Sequence, residues 1–304
     1  MKSLLSCIVM TSSLRVLRYA AFSTSPFGGN PAGVVMDADG LDEATMQRIA
    51  ADVGYSETAF LTARGLKPDG AIRVRYFSPE TEVAFCGHAT IAAGVALGEA
   101  QGPGRFPLIT NVGPVLLTVN RADTGAQAAT GDGAITATFE SPPAGAEPLP
   151  EAHQDRLLAT LGWSRADLNP RFPAMIGTAG NRHPVLVASH LDRLAHLDYD
   201  FPALTHLCRE HDWTTIQLVV SLGDGRWRSR NPFPLGGVIE DPATGAAAAA
   251  LAGYLRTLGT ARAGDRLIIE QGVEMGRPST IDTLIAATTA LVTGTATRIP
   301  TSPA

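Results

Sequence analysis

Cysteine is scarce, with 3 in 304 residues. Cys7, Cys86 and Cys208 are odd in number and irregularly spaced, which excludes a disulfide framework and fits a reducing compartment. Positive charge is also short: 24 Lys and Arg stand against 29 Asp and Glu, for a net charge of -5. A pI near 5.8 leaves no basic footprint, so nucleic acid is excluded as a partner. No apolar run is long enough to span a bilayer. The stretch 4–10 sits at the bottom of the signal-core range, and no cleavage site follows it. Residues 1–13 read as an appended tail, and the protein as cytoplasmic with no membrane partner. The chain has no G-x-G-x-x-G after a strand, no P-loop and no G-x-S-x-G. Nucleotide binding on a Rossmann sheet and a serine-hydrolase triad therefore lose their signatures.

What is present is apolar material. Apolar residues make up 45% and charged residues 17%, enough for a sizeable core. The length suits two domains or one large one. The 31 glycines and 21 prolines are spread through patterned segments and read as turns.

Strands are expected at 14–22, 32–36, 56–61 and 71–77, the last with clean alternation. A helix is expected over 41–53, capped by Asp42 and ended by Gly54. Residues 88–97 are small and apolar on every face, so that helix must be buried all round. In the second half, 154–161 reads as a helix. Residues 134–139, 184–188, 216–221, 227–230, 266–270 and 290–298 read as strands. A second Ala-rich, all-apolar helix covers 246–258. Strands, a glycine turn and one apolar helix thus occur twice, a weak internal repeat. The economical fold class is α/β, with two domains that each wrap a curved sheet around a central helix. The division is placed in 123–133, giving domains 14–122 and 123–304, with the last strand free to return to the first domain.

Both apolar helices follow glycine turns, and a helix N-terminus offers unpaired N–H groups and a positive dipole end to an anion. Two such ends in one cleft would hold a carboxylate, although each turn could equally be only a turn. Glu57 precedes the apolar run 59–61, and burial there would raise its pKa into the range for proton transfer, unless it faces solvent. His88 stands at the first helix entry and either shuttles a proton or serves structure. Asp241 holds the matching place in the second half, where Asp before Pro is also an ordinary N-cap. Cys86 at a helix start could be a lowered-pKa base or a small buried hydrophobe. His206, Cys208, His211 and Asp212 cluster in sequence, but their spacing fits no standard metal site and suits a surface helix.

Six blocks in order carry a family resemblance. They are Phe27-Gly28-Gly29-Asn30-Pro31-Ala32-Gly33, Ser56-Glu57-Thr58-Ala59-Phe60, Arg75-Tyr76-Phe77-Ser78-Pro79, Cys86-Gly87-His88-Ala89-Thr90, Glu240-Asp241-Pro242-Ala243-Thr244-Gly245 and Gln271-Gly272-Val273-Glu274-Met275-Gly276-Arg277-Pro278. From about Leu14 onward the chain resembles the PhzF-like proteins of phenazine biosynthesis. The resemblance implies a diaminopimelate epimerase-like fold of two pseudo-symmetric domains and a homodimer. It also implies a cofactor-free isomerase for a small carboxylate, with no metal. In it Glu57 moves the proton, His88 and Asp241 support it, and Asn30, Ser56, Gly87, Gly245 and Ala246 contact substrate. Ala246 replaces the family's serine and Pro232-Phe233-Pro234 its Phe-Ser-Pro, and both changes reshape the pocket wall. A one-thiol racemase using Cys86 and a non-catalytic binding protein on the same fold are the rival readings.

Overall fold

The computed structural model describes residues 14–62, 70–121 and 133–300. The expected tail at 1–13 and, but for Gly133, the expected division at 123–133 lie outside them.

The first half runs β1 (Val16–Ala21), β2 (Asn30–Val35), α1 (Glu43–Val53), β3 (Glu57–Thr62), β4 (Ile72–Phe77), β5 (Glu82–Val83), α2 (Gly87–Gln101), β6 (Gly104–Thr110), β7 (Gly113–Arg121) and β8 (Ile135–Glu140). The second continues with β9 (Ala144–Pro148), α3 (Glu151–Thr160), β10 (Met175–Ala179), β11 (Arg182–Val187), α4 (Leu191–Ala195), α5 (Phe201–His211), β12 (Gln217–Gly223), β13 (Arg226–Phe233), β14 (Val238–Asp241), α6 (Gly245–Thr257), β15 (Arg266–Gln271), β16 (Ser279–Ile285) and β17 (Ala290–Arg298). α1 is held as its sequence suggests: Asp42 accepts from the Thr45 N–H at 2.8 Å, and Gly54 ends it at φ +70°. α3 begins at Glu151, earlier than the expected 154, directly after Pro150.

Strands β1, β2, β3, β4, β6, β7, β8 and β17 pair in that order, and β17 returns to β1, so the ring is closed. α2 lies inside it, with every residue from His88 to Gly98 buried. The second sheet runs β9, β10, β11, β12, β13, β15, β16, β17 and curves around α6, which is buried nearly throughout. β17 serves both sheets: its first residues pair with β16 and its last with β1.

The repeat is exact in pairing type. From β1 to β8 the neighbours are antiparallel, parallel, antiparallel, parallel, antiparallel, antiparallel; from β10 to β17 the series is the same. β5 and β14 are matching spurs on β4 and β13, each just before its central helix. The register makes individual residues equivalent. Ala32 pairs with Glu57, as Val185 pairs with Gln217. Asn30-Pro31 therefore matches His183-Pro184, and Glu57 matches Gln217. Thr58 pairs with Phe77 and Leu218 with Arg230, so Pro79 matches Pro232.

α5 buries Leu204, Leu207 and Cys208, and His206 is exposed, so the sequence cluster at 206–212 is a surface helix as expected. Among the described residues no helix is long and apolar enough to cross a membrane.

Candidate active site

The two central helices begin face to face. A Cβ placed on Gly87 would lie 3.6 Å from the Gly245 Cα, and Cβ atoms on either glycine would meet the Phe139 ring at 3.3 Å. The first intrahelical bonds run from Thr90 N–H to Cys86 O and from Ala248 N–H to Thr244 O. No side chain caps either helix. The N–H groups of Gly87, His88, Gly245 and Ala246 thus precede the helical ladders at a pair of apposed positive dipole ends. A cavity of about 70 Å³ sits there, lined by residues of both halves, among them Glu57, Cys86, His88, His183, Asp241 and Ala246.

Glu57 opens β3 and its side chain is 13% exposed. Burial pushes its carboxyl above the ordinary range, against the lowering effect of hydrogen bonds from Ser56 and Cys86. The Glu57 Oε2 stands 3.3 Å from His88 Nε2, and Ser56 Oγ is also 3.3 Å from that nitrogen. Burial holds the His88 imidazole below its usual pKa, so it is neutral.

Asn30 backs the His88 ring on the side away from Glu57. Its Nδ2 donates to Asp241 Oδ1 at 2.7 Å and to the Ala243 carbonyl at 3.1 Å, which fixes the amide orientation. The same donor lies 3.1 Å from His88 Nδ1. Both Nδ2 protons go to those two acceptors, and Cys86 Sγ is 3.3 Å from the same ring nitrogen. The ionised Glu57 carboxylate can only accept, so the tautomer that meets it carries the proton on Nε2. Asn30 itself is placed by the opposite half: Arg277 donates to the carbonyls of Gly28 and Gly29 at 2.8 and 2.9 Å. Gly29 has φ +60°, and a Cβ on it would meet the Ala21 carbonyl at 2.2 Å, so only glycine makes this turn.

Asp241 departs from one sequence expectation. It is the last residue of β14 and does not cap α6, whose N-cap is Thr244. Tertiary partners claim it instead. Its Oδ2 accepts from Thr244 Oγ1 at 2.6 Å, and its carbonyl accepts from Gln271 Nε2 at 2.6 Å. Burial pushes the Asp241 carboxyl up to about 6, and the charge of Glu57 adds to that rise. Gln271, absent from the expected site residues, also bonds the Thr244 N–H at 3.1 Å and so holds the second helix entry.

Cys86 is the N-cap of α2, yet its thiol is pushed well above its usual pKa. Burial and the Glu57 carboxylate outweigh the helix terminus, and the thiolate expected of a one-thiol base is disfavoured. Glu57, Cys86 and His88 bring donor atoms within 4.8 Å of one another.

Asn30, Ser56, Glu57, Gly87, His88, Asp241, Gly245 and Ala246 are therefore gathered at one seam, and sequence reasoning had named all of them. His183, Thr215 and Asn181 also line the cavity and were missed. The available signal was the pair Asn30-Pro31 and His183-Pro184 at matching places in the two halves.

Comparison with known proteins agrees with this picture. The family of phenazine biosynthesis-like proteins, PhzC–PhzF, matches residues 19–301. The trans-2,3-dihydro-3-hydroxyanthranilate isomerase of Pseudomonas fluorescens is 37% identical over 265 residues, covering 85% of this chain and 86% of that one. The Pseudomonas aeruginosa enzyme of the same name is 36% identical with the same coverage. The crystal structure of a PhzF-family protein from Bacillus anthracis superposes with a TM-score of 0.80 at 25% identity, covering 94% of this chain and 97% of that one. A probable proline racemase from Agrobacterium radiobacter shares the fold, with a TM-score of 0.62 at 13% identity over 94% of this chain and 91% of that one. The chain is an isomerase and belongs to the PhzC–PhzF family of phenazine biosynthesis-like proteins, built on the diaminopimelate epimerase-like fold.

Proposed function

We propose that the protein isomerises a small carboxylic acid by a cofactor-independent proton shift with Glu57 as the single acid/base. The observation that carries this reading is the asymmetry of the two halves. Glu57 has Gln217 as its structural counterpart, and Gln217 cannot take a proton. Of the two buried carboxyls at the seam, Asp241 is tied to Asn30 and Thr244, which leaves Glu57 as the acid/base.

The substrate carboxylate binds at the apposed N-termini of α2 and α6, through the N–H groups at Gly87, His88, Gly245 and Ala246. Ionised Glu57 removes a proton from a substrate carbon, and the resulting carboxylic acid, which exchanges with solvent, delivers a proton to another carbon of the same molecule. No proton is gained or lost overall. His88 Nε2–H stays on the Glu57 carboxylate and orients it, while Asn30 and Asp241 hold His88. Phe233 and Ala246 lie on the cavity wall, at the two places where the sequence departs from the family pattern, which favours a substrate other than that of the anthranilate isomerases.

Proton NMR in D2O tests this reading. Trans-2,3-dihydro-3-hydroxyanthranilate and a panel of small amino and hydroxy acids are incubated with the protein. Deuterium entering one carbon of one acid is the expected result. No exchange or isomerisation with any acid of the panel contradicts it.

A further inference from the structure

The reading above uses the part of the cavity contributed by β3, α2, β14 and the start of α6. The opposite wall, from β11 and the residues leading into β12, carries His183, Thr214 and Thr215. His183 is fully buried, and burial holds its pKa down to about 4, so the ring is neutral.

Its hydrogen bonds assign its tautomer. Thr215 Oγ1 donates its one proton to Asn231 Oδ1 at 3.2 Å, and Asn231 Nδ2 donates onward to Ser229 Oγ at 3.1 Å. With that hydroxyl proton committed, the 2.9 Å contact between His183 Nδ1 and Thr215 Oγ1 has the ring as donor. His183 Nε2 is then an unprotonated acceptor. It is buried and has no partner among the described residues. Several other described residues carry an unpartnered buried polar atom, but none of them lines this cavity. A buried acceptor left unpaired is costly, and such groups call for an explanation. The internal symmetry supplies one. His183 is the counterpart of Asn30, the residue that backs the ring of His88 across the first half of the site.

We infer that His183 is a specificity-determining residue, whose Nε2 accepts a hydrogen bond from an N–H or O–H group on the substrate. The inference rests on the proposed carboxylate site. Substrate would be held at two points, its carboxylate at the helix starts and its donor group at His183, with the reacting carbon facing Glu57 between them. A site built to meet a donor discriminates against analogues that lack it, because the acceptor is then left unpaired.

Calorimetric titration of the full chain with anthranilate and with benzoate tests this, since the two differ by one amino group. The wild type is expected to bind anthranilate about tenfold more tightly than benzoate. His183→Phe removes that preference by weakening anthranilate alone. His183→Gln, which restores a side-chain acceptor, recovers most of it. In the wild type, 15N NMR of the His183 ring shows an unprotonated Nε2 that shifts with anthranilate and not with benzoate. Equal affinities in the wild type, a preference that survives in His183→Phe, failure of either acid to bind, or a protonated Nε2 would each overturn the inference. The readout is binding, so its failure is distinct from failure of the Glu57 reading, which is measured by isotope exchange.

Discussion

The Nδ2 of Asn30 lies 3.1 Å from the Nδ1 of His88, on the side of the ring away from Glu57. The amide cannot turn over without breaking its bonds to Asp241 and Ala243. Asn30→Ala removes the amide that lies between the His88 ring and Asp241. Turnover is expected to fall about 10- to 100-fold through loss of orientation.

Cys86→Ser separates the two proton-transfer readings. With its thiol held protonated by burial, Cys86 has no base role, and the variant should keep turnover within a few-fold of the wild type. A loss of about 100-fold or more would favour the one-thiol mechanism instead.

Asp241 gives a pH-dependent stability with a definite sign. Its carboxyl sits at about 6 in the folded protein, above the ordinary value of 3.8. The folded state therefore binds the proton more tightly, and this stabilisation is present below pH 4 and lost as pH rises to 6. Asp241→Asn removes the effect. The stability of the variant relative to wild type should increase from pH 4 to pH 7 by about 2 kcal/mol, while activity is lost. Urea unfolding at several pH values measures it, and a difference independent of pH would contradict the assignment.

The packing of the central helices is tested by glycine substitution. A Cβ on Gly94 would lie 2.6 Å from the Ala137 Cβ and 3.1 Å from Leu117 Cδ2. Alanine gains about 1 kcal/mol in helix propensity, yet overpacking costs about 1–3 kcal/mol, so Gly94→Ala should be destabilising. On Gly253 a Cβ would meet backbone, the Gly145 nitrogen at 2.4 Å and the Ala144 carbonyl carbon at 2.6 Å. Backbone cannot rotate aside, so Gly253→Ala should lower the melting temperature further than Gly94→Ala.

These helices are also where the sequence was most readable. An apolar stretch of helical length with no polar face has only one place to go, and both α2 and α6 occupy it. Glu57, His88 and Asn30 were legible through their neighbours in the family blocks. Asp241 was named as a site residue with capping as its alternative, and sequence alone left the two open, because Asp before Pro at a helix start is locally indistinguishable from a cap. Its partners Asn30 and Thr244 come together only in three dimensions. His183 was passed over since the strand appeared to begin at Pro184. The equivalence of β2 and β11 is a property of register, and the two strands share little beyond their prolines.

The pH dependence of turnover follows from the carboxyl of Glu57. As a base it must be ionised, and burial raises its pKa. The acid limb of kcat/KM should therefore fall above the ordinary glutamate value of about 4.3. A limb at or below that value would place the base in solvent.

The most direct test compares wild type with Glu57→Gln in D2O, following deuterium into the acid that the wild type turns over. Glutamine preserves the shape and the hydrogen bond from His88 but cannot accept a proton. The account predicts that both isomerisation and isotope incorporation fall by about 100-fold or more, while substrate binding persists. Turnover of Glu57→Gln near the wild-type rate would contradict it.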